Sequence, residues 1–130
     1  MARVIGIGGI FIKARDPEAL RAWYRRHLQI DVQPWGGAVF RGVDGDAVDA
    51  SVTVWTVFAA DSDYFQPSLA PFMVNFRVRD LRAVLASLRS EGCDVLDEVE
   101  QSEYGRFGWV LDPEGNKIEL WEPPPGRFPG

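Results

Sequence analysis

Apolar side chains recur with two different periods along the chain, and the changes of period mark out its elements. Residues 4–14 carry Val4, Ile5, Ile7, Ile10, Phe11 and Ile12 in a strand-like pattern rich in β-branched residues. Asp16 then predicts a helix start, because its carboxylate can accept from the free backbone N–H groups of a first turn. Pro17 suits the first helical position, where no donor is missed, and Glu18 suits the positive end of the helix dipole. Leu20, Trp23, Tyr24 and Leu28 follow at helical spacing and predict one buried stripe. Further along, residues 73–78 predict a strand, Asp80 a second cap, and Leu81, Val84, Leu85 and Leu88 a second stripe that Gly92 terminates in the left-handed region. After the first helix come strand candidates at about 30–34, 37–42 and 50–58. After the second they stand at about 94–99, 104–111 and 116–122. Asp112-Pro113-Glu114-Gly115-Asn116 predicts a tight hairpin turn, since Pro presets one φ and Gly supplies a positive one.

The same order of elements occurs twice. Asp16 and Asp80 lie 64 residues apart, and this offset also matches Lys13 with Arg77, Arg15 with Arg79 and Val32 with Leu96. Two near-copies predict one pseudo-symmetric α+β domain of two βαβββ modules, since a solenoid needs three or more repeats. Module one covers about 4–58, a linker 59–71, module two about 72–122, and a Pro-rich tail 123–130, where Pro123, Pro124 and Pro125 cannot donate to a sheet.

Charge and cysteine content narrow the function classes. The net charge of −5 and pI near 4.8 argue against a nucleic-acid surface. A single cysteine, Cys93, fits a reducing compartment and reads as structural filler within an apolar stretch. With no signal-like N-terminus and no apolar run of about 20 residues, the expected address is cytoplasmic, away from membranes.

Two segments, GIFIKARDPEALRAWYRRHLQI and YGRFGWVLDPEGNKIELWEP, resemble the vicinal oxygen chelate superfamily of glyoxalases, bleomycin-resistance proteins and dioxygenases. The resemblance implies a curved mixed sheet around a cavity, with helices on its outer face, and a homodimer. It places the family's metal-ligand positions at Gly9, Trp55, Met73 and Glu119. Glycine offers no side chain, indole only donates, and methionine is too soft for hard divalent ions. Only Glu119 could hold such a metal, so no cofactor is expected, with a divalent ion through Glu119 the minority reading. His27, the sole histidine, reads as a packing or solvent-facing residue of the first helix.

If position 9 faces inward, strand alternation sends Phe11 and Lys13 with it. The same rule sends Met73, Asn75 and Arg77 inward from the fifth strand, Lys117, Glu119 and Trp121 from the last, and Thr53, Trp55 and Val57 from the fourth. The outward positions Ile10, Ile12, Val74, Phe76, Val78, Ile118 and Leu120 are apolar, as a helix-covered face requires. A lining that mixes aromatic and polar groups suits a small-molecule cavity. Lys13 and Arg77 favour an anionic ligand, Tyr104 and Arg106 are further ligand candidates, and Glu119 is the candidate acid or base. Tyr64 and Phe65 of the linker read as packing residues, with capping of the opening the alternative. The expected function is metal-free binding of a small, partly aromatic molecule. The alternatives are a lyase, isomerase or dioxygenase using Glu119, and a non-catalytic partner subunit.

Overall fold

The computed structural model describes residues 3–41 and 52–125. Its elements run β1 (Val4–Ala14), α1 (Pro17–Leu28), β2 (Gly37–Arg41), β3 (Val52–Ala59), β4 (Phe72–Val78), α2 (Leu81–Ser90), β5 (Asp94–Ser102), β6 (Gly105–Leu111) and β7 (Lys117–Glu122). Both helices start where the caps predict. The Asp16 carboxylate accepts from Ala19 N and that of Asp80 from Ala83 N, each at 3.1 Å. Past the end of α2, Gly92 takes φ +82° and its N–H donates to Arg89 O, as a left-handed terminus should. In the β6–β7 turn the Asp112 carboxylate accepts from the N–H groups of Glu114 and Asn116, while Gly115 supplies φ +82°.

The strands form one mixed sheet in the order β2-β3-β1-β4-β7-β6-β5. At its centre β1 and β4 run antiparallel, and Ile10 pairs with Val74, its own counterpart at the 64-residue offset. A pseudo-twofold axis therefore passes through that pair, and each half extends outward from it through a parallel neighbour, β3 or β7. The architecture is the α+β arrangement expected.

The halves are not equal. The strand expected at about 30–34 does not form: this stretch is irregular and leads into a turn at Pro34 and Trp35. Gly36 N donates to Gln33 O and Gln33 N to Gly37 O, with Gly36 at φ +103°, so the chain turns back on itself here instead of extending as an edge strand. Its counterpart β5 is nine residues long. The expected strand ends at 42 and 50–51, and the last five residues of the tail, lie outside the described residues.

Burial follows the same asymmetry. Leu81, Val84 and Leu85 of α2 pack with Val78, Val110 and Leu120 in a closed core on the outer face of the second half. No residue of α1 is buried, and Trp23 is 50% exposed, which corrects the predicted stripe of Leu20, Trp23, Tyr24 and Leu28. With one strand fewer beneath it, α1 has less sheet to cover. It is tied down instead by Arg21, which donates to Gly36 O at 3.1 Å and Val57 O at 2.6 Å. An open groove of about 590 Å³ beside it is lined by Arg15, Leu20, Trp23 and Tyr24 among others. Cys93 is exposed rather than buried filler, and His27 stays on α1 with its ring against Trp23. No helix among the described residues is long and apolar enough to cross a membrane.

Candidate functional site

The concave face of the sheet is organised in rows set by strand register. The central row runs Val54, Gly9, Asn75, Glu119 and Trp109, each directly paired with the next. Paired residues share a face, so Glu119 and Asn75 project inward beside Gly9. The neighbouring row on one side contains Thr56, Phe11 and Met73, and on the other Gly6, Arg77, Trp121 and Phe107.

Glu119 lies at the centre and is only 2% exposed. Its carboxylate accepts from the Asn75 amide at 2.7 Å, the Trp109 indole at 3.0 Å and the Tyr64 hydroxyl at 2.5 Å. Burial pushes its pKa above the ordinary carboxylate value, and the three donors together with the Lys117 ammonium pull it only part of the way back. Burial, and the adjacent Glu119 charge, raise the Tyr64 phenol well above its usual range, so it remains a proton donor. Lys117 donates to Tyr64 O at 2.7 Å, with its ammonium over the Tyr64 and Trp109 rings, and burial lowers its pKa.

Tyr64 and Phe65 come from the linker, which crosses the concave face instead of skirting it. The Tyr64 ring stacks on Phe58 at 5.4 Å, and Phe65 is fully buried with Phe11, Met73 and Trp109. Phe65 packs as expected, but the hydrogen bond from Tyr64 to Glu119 had no sequence signal, because nothing local fixes where a linker lies. Trp109 was missed as well, although the register of the hairpin carries its signal: a turn that pairs Leu111 with Lys117 also pairs residue 109 with 119.

Three expected facings are overturned. Trp55, together with Thr53 and Val57, faces the helices; its ring meets Tyr24 of α1 at 4.9 Å, and Val54 and Phe58 face inward in their place. The last strands are related by 65 residues, as Val54 and Glu119 occupy one row, not by 64. A one-residue slip reverses every side chain of a strand. Arg106 shares the helix-side face with Gly108 and Val110 and stands 3.9 Å from Glu122, away from Glu119. Lys13 and Arg77 both face inward but do not converge. As twofold mates on antiparallel strands they stand about 20 Å apart along the ribbon. Lys13 has its ammonium 5.1 Å from the Phe65 ring centre. Tyr104 sits in the β5–β6 turn, 43% exposed, with its carbonyl accepting from Trp121 Nε1 at 2.7 Å.

Phe11, Met73, Asn75, Arg77 and Trp121 do line the concave face. Glycines make room there. A Cβ on Gly8 would lie 2.3 Å from Asn75 Oδ1 and 2.7 Å from the Trp121 ring, and one on Gly6 would lie 2.2 Å from Arg77 Nη2. Trp121 in turn stacks parallel to Phe107 at 5.9 Å.

The donor set does not fit a divalent metal. Of the four positions the resemblance selected, Gly9, Met73 and Glu119 face inward and Trp55 does not. Glu119 is wrapped in N–H and O–H donors beside an ammonium, and no group of three His, Cys, Asp or Glu that could hold a metal ion occurs among the described residues.

A family model described as glyoxalase-like domain matches residues 9–121. The chain belongs to this family. No curated protein matches it. Among solved structures, methylmalonyl-CoA epimerase from Mycobacterium tuberculosis superposes with a TM-score of 0.64 at 20% identity, covering 96% of this chain and 92% of the epimerase. Streptomyces coelicolor methylmalonyl-CoA epimerase, in complex with 2-nitronate-propionyl-CoA, gives 0.66 at 21%, covering 97% and 99%. The 2,3-dioxygenase LapB from Pseudomonas sp. KL28 gives 0.62 at 21%, covering 98% of this chain and 43% of LapB. These likenesses establish the fold of the glyoxalase-like domain.

Proposed function

We propose that this glyoxalase-like domain binds a small, partly aromatic, anionic molecule on its concave face without a divalent metal, as a cytoplasmic homodimer. One observation carries the reading: Arg77 projects onto an aromatic-rich inner face with no hydrogen bond or ion pair to any described residue, in a protein of net charge −5. A guanidinium left unpaired beside Trp121 and Phe107 suits an anion attached to an apolar or aromatic body. Titration with phenylacetate and phenylpropionate, followed by tryptophan fluorescence at two salt concentrations, tests it. Binding that weakens at high salt and is lost in Arg77→Ala is the expected result. Binding unchanged by Arg77→Ala would refute the role of this anion site. Light scattering checks the dimer.

A second reading is favoured by Glu119 itself. A carboxyl group held above its ordinary pKa beside a phenol and an ammonium is equipped to take or give a proton, as a lyase or isomerase requires. Several structural neighbours are epimerases. Loss of turnover in Glu119→Gln with ligand affinity retained would support this reading, whereas equal turnover would exclude it.

A further inference from the structure

Two buried polar atoms on the concave face have no hydrogen-bond partner: Nε of Arg77 and Oδ1 of Asn75. They belong to alternate inward residues of β4 and flank the same glycine, since a Cβ on Gly8 would lie 2.3 Å from Asn75 Oδ1 and 2.8 Å from Arg77 Cγ. Asn75 is 2% exposed, and the 2.7 Å hydrogen bond from its amide nitrogen to Glu119 fixes the orientation that leaves Oδ1 without a partner. Orphaned buried groups are rare in native proteins, and each calls for a partner such as a water, an ion or a ligand.

The two atoms want opposite things. Arg77 lacks an acceptor, and Asn75 Oδ1 lacks a donor. A plain carboxylate answers the first and repels the second, oxygen against oxygen. A carboxylate with a hydroxyl on the adjacent carbon answers both: the carboxylate accepts from the guanidinium while the hydroxyl donates to the amide oxygen. Phe107, partly exposed and stacked on the buried Trp121 ring, supplies apolar surface alongside for the rest of the molecule. We infer that the ligand class of this site is the 2-hydroxy carboxylates bearing an aromatic or apolar substituent. This inference rests on the anion-binding reading above and sharpens it.

The test compares 3-phenyllactate with 3-phenylpropionate, which differ by that one hydroxyl, by calorimetry on the wild-type protein. A site built to receive a hydroxyl discriminates against its absence, so 3-phenyllactate should bind at least about tenfold more tightly. Arg77→Gln should weaken both ligands together, and Asn75→Ala should erase the difference between them. Equal wild-type affinities would overturn the hydroxyl assignment and leave the anion site standing. Binding of neither ligand would overturn both. The wild-type comparison decides the matter even where Asn75→Ala fails to fold.

Discussion

Removing the Tyr64 hydroxyl leaves the Glu119 carboxylate with one donor fewer in a buried place. Tyr64→Phe should therefore destabilise the fold by about 1–3 kcal/mol, read as a lower urea midpoint. A midpoint equal to wild type would mean that the hydroxyl is not needed to hold that charge. Titration of Glu119 has a definite sign. Its native pKa stands above the ordinary carboxylate value, so the native state holds the proton more tightly than the unfolded chain does. The stability this contributes is complete below the unfolded pKa and is lost as pH rises through the folded one. Against Glu119→Gln, the wild type should lose ground steadily across that window in denaturation series at increasing pH; a flat or rising difference would contradict the burial argument. Gly8 is constrained by the same cluster. Gly8→Ala must displace the Asn75 amide and the Trp121 ring, and should cost about 1–3 kcal/mol, measurable as a shift in urea midpoint.

At the scale of elements, the two helices look interchangeable in sequence and are not. Leu85 of α2 is buried against Leu81 and Gly108, whereas Trp23 of α1 is half exposed. Leu85→Ala should cost about 2–5 kcal/mol by leaving a cavity. Trp23→Ala, though it deletes a larger side chain, should cost under about 1 kcal/mol. Urea denaturation of the pair separates them, and a larger loss at Trp23 would mean that α1 is covered by something in solution. The caps and the Asp112 turn were legible because each depends on residues within four positions of one another. The missing strand near residue 32 was not legible: the local pattern predicts a strand at about 30–34, and the chain folds back there instead.

For the whole molecule, the twofold axis through Ile10 and Val74 explains why the chemistry is lopsided. Symmetry puts counterparts at opposite ends of the central ribbon, so Lys13 and Arg77 serve different regions, and only the second half brings a carboxylate, Glu119, into the central row. A lone carboxylate among donors predicts that chelation with EDTA leaves the melting temperature unchanged within about 1 °C. A fall of several degrees would reveal a stabilising ion.

Sequence alone determined the repeat, the caps and the hairpin turn, because capping and turn chemistry act over a few residues; the inward sense came from the family resemblance at Gly9, Met73 and Glu119, and alternation extended it to Phe11, Asn75, Arg77 and Trp121. Tertiary structure decided the rest. Whether Trp55 or Val54 faces the concavity depends on a one-residue difference in register between the halves, and strand periodicity of two turns that single residue into a reversal of face. The linker that brings Tyr64 to Glu119 is placed by long-range packing of Phe65 among Phe11, Met73 and Trp109, which no local pattern encodes.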